Sequence, residues 1–484
     1  MFGQALRRCR AFLSRHGLGS GDKVMRKENK DNQLYELENK PVGRLLWQYS
    51  LPAIVGILVM SLYNVVDRIF IGQGVGPEAI AGLAITFPVM NLVTALGVLI
   101  GGGAAARTSI VLGRGDHDRA FRILGNSLTM TFVLGVVYIS VFTIFLDPIL
   151  LAFGASENTL PYARDFMLYI MPGLLIINLC YSFNNIMRAV GYPTKAMVTM
   201  FIGAGINVIL APTFIFGLGW GIKGAAIATD IAMTISAVFV MSHFLSKKNN
   251  LYFRRGTYKP EPAILISIMS IGAAPFLVNV AGCVINAIVN NSLFRYGGDD
   301  AVAAMGIFTT FTQLIVVGII GLCQGMQPIV GYNFGARRFD RLTRTYWLCV
   351  GVASVLCVVG WGICQLCPHL IARAFTTDAG LIEVTGHALA VTTSVFMIVG
   401  FQIVSTNFFQ SLGYAGKSIF LSLTRQVIFL LPLLFTLPRK FGLDGVWASF
   451  PSSDVLATFT TAVMVVIQFR QLKKMAAAAR PLRD

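Results

Sequence analysis

Four polar residues stand in apolar surroundings where their chemistry would be costly without a use: Asp67, Asn207, Thr229 and Asp230. Asp67 lies within residues 45–72, a stretch long enough to cross a bilayer, where a carboxylate is expensive and by default functional. At about 1.5 Å of rise per residue, Asp67 sits a little over one turn from the outer end of its helix. Asn207 falls roughly ten residues from the outer end of the fifth helix, and Thr229 and Asp230 some seven residues into the sixth. A carboxylate, an amide and a hydroxyl at one depth offer hard oxygen ligands to Na+, or a proton site whose affinity depends on solvation. Two bland alternatives stand beside this. Asp67 could pair with Arg68 and anchor a helix end, although consecutive residues point apart around a helix. Asp230 could simply mark a membrane boundary or favour a helix N-terminus.

The elements that must position these groups follow from composition. With 484 residues, 55% hydrophobic, 13% charged and a mean hydropathy of +0.69, the chain reads as an all-α polytopic membrane protein. Apolar runs of spanning length predict about twelve transmembrane helices, beginning near Leu45, Ala79, Ile123, Phe166, Ala196 and Gly224, then Ala263, Ala301, Tyr346, Val384, Ser418 and Val446. An internal repeat relates the two sets of six. Pro52 and Asp67 recur as Pro275 and Asn290, and Gly115, Gly191 and Gly221 pair with Gly335, Gly413 and Gly442. An even number of helices per half gives a parallel repeat, two six-helix lobes related by a pseudo-twofold axis along the membrane normal, with a cleft between them. The predicted division is a tail over 1–40, a lobe over 41–245, a linker over 246–262, a lobe over 263–470 and a tail over 471–484.

The formal charge of +17 would suggest nucleic acid in a soluble protein, but the basic residues sit on alternate loops. Arg114, Arg119 and Arg122 follow the second helix, Lys247, Lys248, Arg254 and Arg255 the sixth, and Arg337, Arg338, Arg341 and Arg344 the eighth. The positive-inside rule then puts both termini in the cytoplasm, and nucleic acid is not an expected partner. No Walker A loop supports direct ATP drive, and five scattered histidines give no metal spacing. Cys364 and Cys367 form a CxxC without a partner pair, so the cysteines read as small buried hydrophobes and no cofactor is expected. Residues 1–40 lack the apolar core of a signal peptide, and Met25 is an alternative start.

The second half is poorer in charge. It carries Asn290 and Asn291 on helix seven, Gln313 and Gln324 on helix eight, and Gln402 and Asn407 on helix ten. Such amides serve as interhelical glue or, where they face a cavity, bind a polar part of a substrate; Asn290, Gln313 and Gln402 are the candidates for the cavity. Arg425 and Asp454 are expected to form a structural ion pair. Most internal glycines and prolines, Gly101-Gly102-Gly103 among them, read as close helix packing. Pro52 is the exception, a hinge that would let the helix carrying Asp67 bend.

Pro52 with Asp67 fifteen residues on, Arg188-Ala-Val-Gly-Tyr-Pro-Thr-Lys195, Asn207 before Pro212, Gly221-Ile-Lys-Gly-Ala-Ala226 and Gln327-Pro-Ile-Val-Gly-Tyr-Asn-Phe-Gly-Ala336 together resemble the MATE family, the multidrug and toxic compound extrusion transporters of the MOP superfamily. The resemblance implies a V-shaped exporter of organic cations or lipophilic drugs, driven by antiport with Na+ or H+. It implies a first-lobe cation site using Asp67, Asn207 and Thr229, these three being the Na+ ligands if sodium is the ion, with Asn184 as a further polar member. A second acid of the family site is replaced here by Ala211, and Asp230 is the residue that could supply the missing charge. The expectation is a monomeric, non-enzymatic antibiotic-resistance transporter of the bacterial inner membrane whose partners are small drugs and membrane lipids. The alternative is a lipid-linked oligosaccharide flippase of the same superfamily, which would be expected to line its cavity with Arg and Lys.

Overall fold

The computed structural model describes residues 34–479, so the alternative start at Met25 lies outside the described residues. Hydrocarbon leaves each backbone group to be satisfied within its own segment, and the regular elements described are helical. The first half contains α1 (Val42–Gly74), α2 (Pro77–Gly113), α3 (His117–Ile144), α4 (Leu160–Ala189), α5 (Pro193–Pro212, extended by a π turn over Thr213–Gly217) and α6 (Gly221–Leu245). Helices α7 and α8 share the run Pro262–Gly335 and part at Gly298, whose φ of 66° and ψ of −159° no helix can contain. After α9 (Phe339–Leu366), α10 is broken into Ala379–Thr392 and Phe396–Ser411 with a bend of 49°. Helix α11 runs from Ala415–Leu423 through the π segment Thr424–Leu430 into Leu431–Ala479, which parts at Gly442 to give α12. Twelve spans result, as the hydropathy predicts. Proline in the first turn opens α2, α4, α5 and α7, where a missing N–H costs no hydrogen bond.

The repeat is visible in the backbone. Gly191 and Gly413 have φ of 102° and 77°, and Gly221 and Gly442 have 56° and 58°, so both halves turn at matching glycines in the left-handed region. The pair Gly115 and Gly335 behaves differently. Gly115 has φ 75°, whereas the left-handed residue of the second half is Arg337 at 57°. Gly335 is needed for another reason: a Cβ there would strike the Ile110 carbonyl of α2.

Buried side chains divide into one shared core and separate ones. At the end where the described chain starts and stops, Leu45, Leu99 and Phe183 of the first half pack in one core with Ile268, Leu322 and Phe408 of the second. At the opposite end, Tyr63, Val89, Met167 and Ala211 belong to a core made by the first half alone, and Ile285, Ala304 and Trp447 to one made by the second alone. The molecule is therefore two six-helix lobes, fused at the terminal end and separate at the other. Glycines make the fusion possible. Gly103 of α2 lies against the Ile268 backbone while Gly272 of α7 lies against that of Leu99, and Gly321 and Gly325 of α8 abut Ile54 and Ser50 of α1. The Ser50 hydroxyl also donates to the Leu322 carbonyl across the junction at 3.3 Å. Pro52 sits in this same zone, and α1 runs through it as one helix.

The flanking segments are tied down more than their composition suggests. Residues 34–39 are helical and strapped to the second lobe: Arg338 bonds the Glu38 side chain and carbonyl, and Arg341 donates to the Lys40 carbonyl at 2.7 Å. The linker docks under α3 through an Arg254–Asp118 ion pair at 3.0 Å and a bond from Thr129 to the Tyr258 carbonyl at 2.8 Å. Helix α12 passes the expected boundary at 470 and stays helical to 479.

A bulky side chain at Gly103 or Gly321 should force the fused end apart. Gly103→Leu and Gly321→Leu are each expected to lose about 1–3 kcal/mol in detergent unfolding. Gly205→Ala, with nothing within 4 Å of the new Cβ, should match or slightly exceed the parent.

Candidate functional site

The half of the first lobe farther from the fused end gathers the polar residues. Asn207 on α5 donates from Nδ2 to Thr229 Oγ1 on α6 at 3.0 Å, and both side chains are buried. The Thr229 hydroxyl donates in turn to the Ala225 carbonyl one turn earlier at 3.0 Å. Asp67 is half-buried on α1, and its Oδ1 is enclosed with no hydrogen-bond partner. Tyr63 joins these groups. One turn before Asp67 and buried, it brings its hydroxyl near that of Thr229 and within electrostatic range of both Asp67 and Asp230.

Asp230 is turned about 100° around α6 from Thr229. Its carboxylate fills a notch in α4 made by Gly173, where a Cβ would overlap it. Ala211, one turn beyond Asn207, is buried and supplies no charge. The helix-end alternative for Asp67 is not what is found: the Arg68 guanidinium lies over the Phe87 ring, 5.6 Å from its centroid, and makes no ion pair with Asp67 among the described residues. Its charge still acts on Asp67 from the adjacent position.

Asn184 does not join this group. It lies near the C-terminal end of α4, where Nδ2 donates to the Ala196 carbonyl at 2.8 Å and Oδ1 accepts from Arg188 at 2.9 Å. Counting along α4 already places it deeper than Asp67. Between the two levels lies a cavity of about 20 Å³, bounded by Met60, Tyr181, Asn184, Thr199, Gly203 and Ser236, room for about one water.

In the second lobe, Asn290, at the position equivalent to Asp67, and Gln313 are exposed. Gln402 departs from the expected cavity wall: it is only 3% exposed, packed in the body of the lobe with Oε1 unpaired. Arg425 and Asp454 form the expected pair, Nε to Oδ1 at 2.6 Å. Placing Arg425 in the π segment of α11 brings it to α12, and it neutralises a buried acid. Two members of the first-lobe site escaped sequence reasoning. Tyr63 carries the signal of a four-residue offset from Asp67, which shares a helix face. Gly173 follows Pro172 and reads as packing until its partner is known.

Two six-helix lobes in parallel repeat, with an ionisable group between helices of one lobe, define a polytopic membrane protein of the transporter type. A family model described as MatE matches residues 52–213 and again 271–436, once per lobe. The chain belongs to that family, the MATE transporters of the MOP superfamily. Among curated relatives, the multidrug export protein MepA of Staphylococcus aureus (strain MRSA252) is 28% identical over 440 residues, covering 90% of this chain and 96% of its own. MepA of Staphylococcus haemolyticus is also 28% identical, over 91% and 97%. A crystal structure of MATE in the bent conformation superposes with a TM-score of 0.87 at 24% identity, covering 92% of this chain and 99% of that one.

Substitutions at both contacts test them. Gly173→Val should expel the Asp230 carboxylate from its notch and lower transport at normal expression, while Gly173→Ser should have the smaller effect. Arg425→Met should destabilise by roughly 3–5 kcal/mol because it strands Asp454, and the double change Arg425→Met with Asp454→Leu should recover most of that loss in a thermal-unfolding assay.

Proposed function

We propose that this chain is a secondary-active exporter of organic cations or lipophilic drugs, driven by inward movement of Na+ or H+ through the first lobe. The observation that carries the reading is the enclosed Asp67 oxygen without a hydrogen-bond partner, one turn from Tyr63 in the lobe that also holds the buried Asn207–Thr229 pair. A buried acceptor left unmade is costly, and either a proton or a hard cation satisfies it. The family and the MepA relatives support the export of drugs.

Of the three oxygens that a Na+ site would draw on, Asp67 keeps a free one. Thr229 spends its hydroxyl on Ala225 and Asn207, with Tyr63 also within reach. The donor set fits a hard cation in type, and the open carboxylate oxygen fits a proton equally well. Asp230 adds a second acid within reach of Tyr63, which would compensate for Ala211.

Basic residues gather on the fused end, at Arg114, Arg119, Lys247, Lys248 and Arg338, which supports placing that end and both termini in the cytoplasm of a bacterial inner membrane. The cleft then opens outward, to the side from which the coupling ion arrives. Ion binding at Asp67 favours release of the exported molecule, and ion loss inside permits reloading; the ion acts through unequal affinity for the two access states. Asn290 and Gln313 remain the second-lobe groups with open faces for a polar part of the substrate, and one chain forms both lobes, so a monomer suffices.

Asp67→Asn, expressed at the parent level, should abolish efflux against a gradient in proteoliposomes. Imposing sodium and pH gradients separately identifies the ion. Uphill efflux by Asp67→Asn at the parent rate would overturn the reading.

A further inference from the structure

The polar stack in the first lobe continues inward from the Asp67 group. Tyr181 lies within electrostatic range of Tyr63, and it lines the small cavity whose inner boundary is Asn184. The Asn184 side-chain oxygen is held by Arg188 Nη2 at 2.9 Å. From the same guanidinium, Nη1 crosses the boundary between lobes and donates to Gln324 Oε1 on α8. Arg188 is 5% exposed, its Nε is buried without a partner, and no carboxylate pairs with it among the described residues. A buried positive charge is thus held by two amide oxygens, one bordering the first-lobe cavity and the other in the opposite lobe. Gln324 lies beside Gly325, in the contact with α1 that closes the fused end.

A guanidinium without a counter-ion in a low-dielectric interior depends on each acceptor it has. A second positive charge entering the cavity would repel it and compete for the Asn184 oxygen, the only one of its two acceptors that the cavity reaches. We propose that Arg188 is a positioning residue that couples the ion to the lobes. With the cavity empty, Arg188 latches Gln324 and holds the terminal end shut; an ion moving inward from Asp67 displaces it from Asn184, breaks the bond to Gln324 and lets the lobes part. This deepens the cation-coupling reading of Asp67 and rests on it. It assigns work to the Arg188–Lys195 motif and gives Asn184 a place in coupling at a level below the Asp67 group.

The test uses full-length protein in nanodiscs, with native cysteines replaced and spin labels at His117 of the first lobe and Lys473 of the second, both exposed at the terminal end. Without ion, Arg188→Gln and Gln324→Ala should each raise the ratio of long to short distances about 5-fold or more. The double variant should go no further than either single one. Arg188→Lys should fall between Arg188→Gln and the parent. Gln324→Glu, which strengthens the latch, should hold the short distance and blunt the response to Na+ or to acid. The inference is overturned if Arg188→Gln and Gln324→Ala, both monodisperse, keep the parent distances and the parent ion response, or if their effects simply add. Should Arg188→Gln fail to fold, the opposite signs expected for Gln324→Ala and Gln324→Glu decide. Asp67→Asn separates the two claims. It should abolish the ion response while leaving the latch effect of Gln324→Ala intact; an ion response surviving in Asp67→Asn defeats the coupling reading itself, whereas its loss together with unchanged distances in the latch variants defeats only the role of Arg188.

Discussion

An acceptor enclosed in a membrane protein without a partner cannot be neutral in energy. In water the Asp67 carboxylate would be fully solvated, and at the fused end it would be driven to pair or to be replaced. It persists in a lobe that holds a tyrosine one turn away on the same helix face, an amide bonded to a hydroxyl across α5 and α6, and a second acid in a glycine notch, none of which bonds the enclosed oxygen. The remaining deficit is one that a small cation or a proton can make good, and a deficit of that kind is what a gradient can act on.

The lobes themselves obey a complementary constraint. Where they fuse, glycines bring backbones close enough to form one shared core. Where they separate, each lobe has to bury its own interior, and the cores divide cleanly by half. A closed end built on glycine contacts and few directional bonds can be parted without stranding many polar groups. Arg188 is the exception, a charge placed across that junction with no acid paired to it among the described residues.

Much of this was legible in the sequence, and the limits have physical causes. Helix number and approximate starts follow from apolar length alone. The repeat was readable because turns that need a left-handed residue keep glycine at matching positions, as Gly191 with Gly413 and Gly221 with Gly442. The alignment slipped at Gly335, where glycine answers a close carbonyl and the left-handed turn falls on Arg337. Depth counting brought Asp67, Asn207, Thr229 and Asp230 to one level, because rise per residue is fixed. It could not give azimuth. That is why Tyr63 went unnoticed, why Gln402 proved to be packed inside its lobe, and why the partner of Gly173 was invisible until α4 and α6 were set side by side.

The halves share a backbone plan but differ in charge where it matters. At the position of Asp67 the second lobe has Asn290, exposed and neutral, and its buried acid, Asp454, is already neutralised by Arg425. A paired acid is a poor ion switch, since releasing or binding a cation there means first breaking a short bond to a guanidinium. An acid with an open oxygen meets no such competition. Duplication therefore supplied two equivalent scaffolds, and on the proposed function the difference between Asp67 and Asn290 makes the first lobe the one whose energy would change with an ion. Any movement of the second lobe then has to be transmitted through the fused end. Among the contacts that could carry it are the glycine crossings and the Ser50–Leu322 bond, which transmit shape, and the bond from Arg188 to Gln324, which transmits charge.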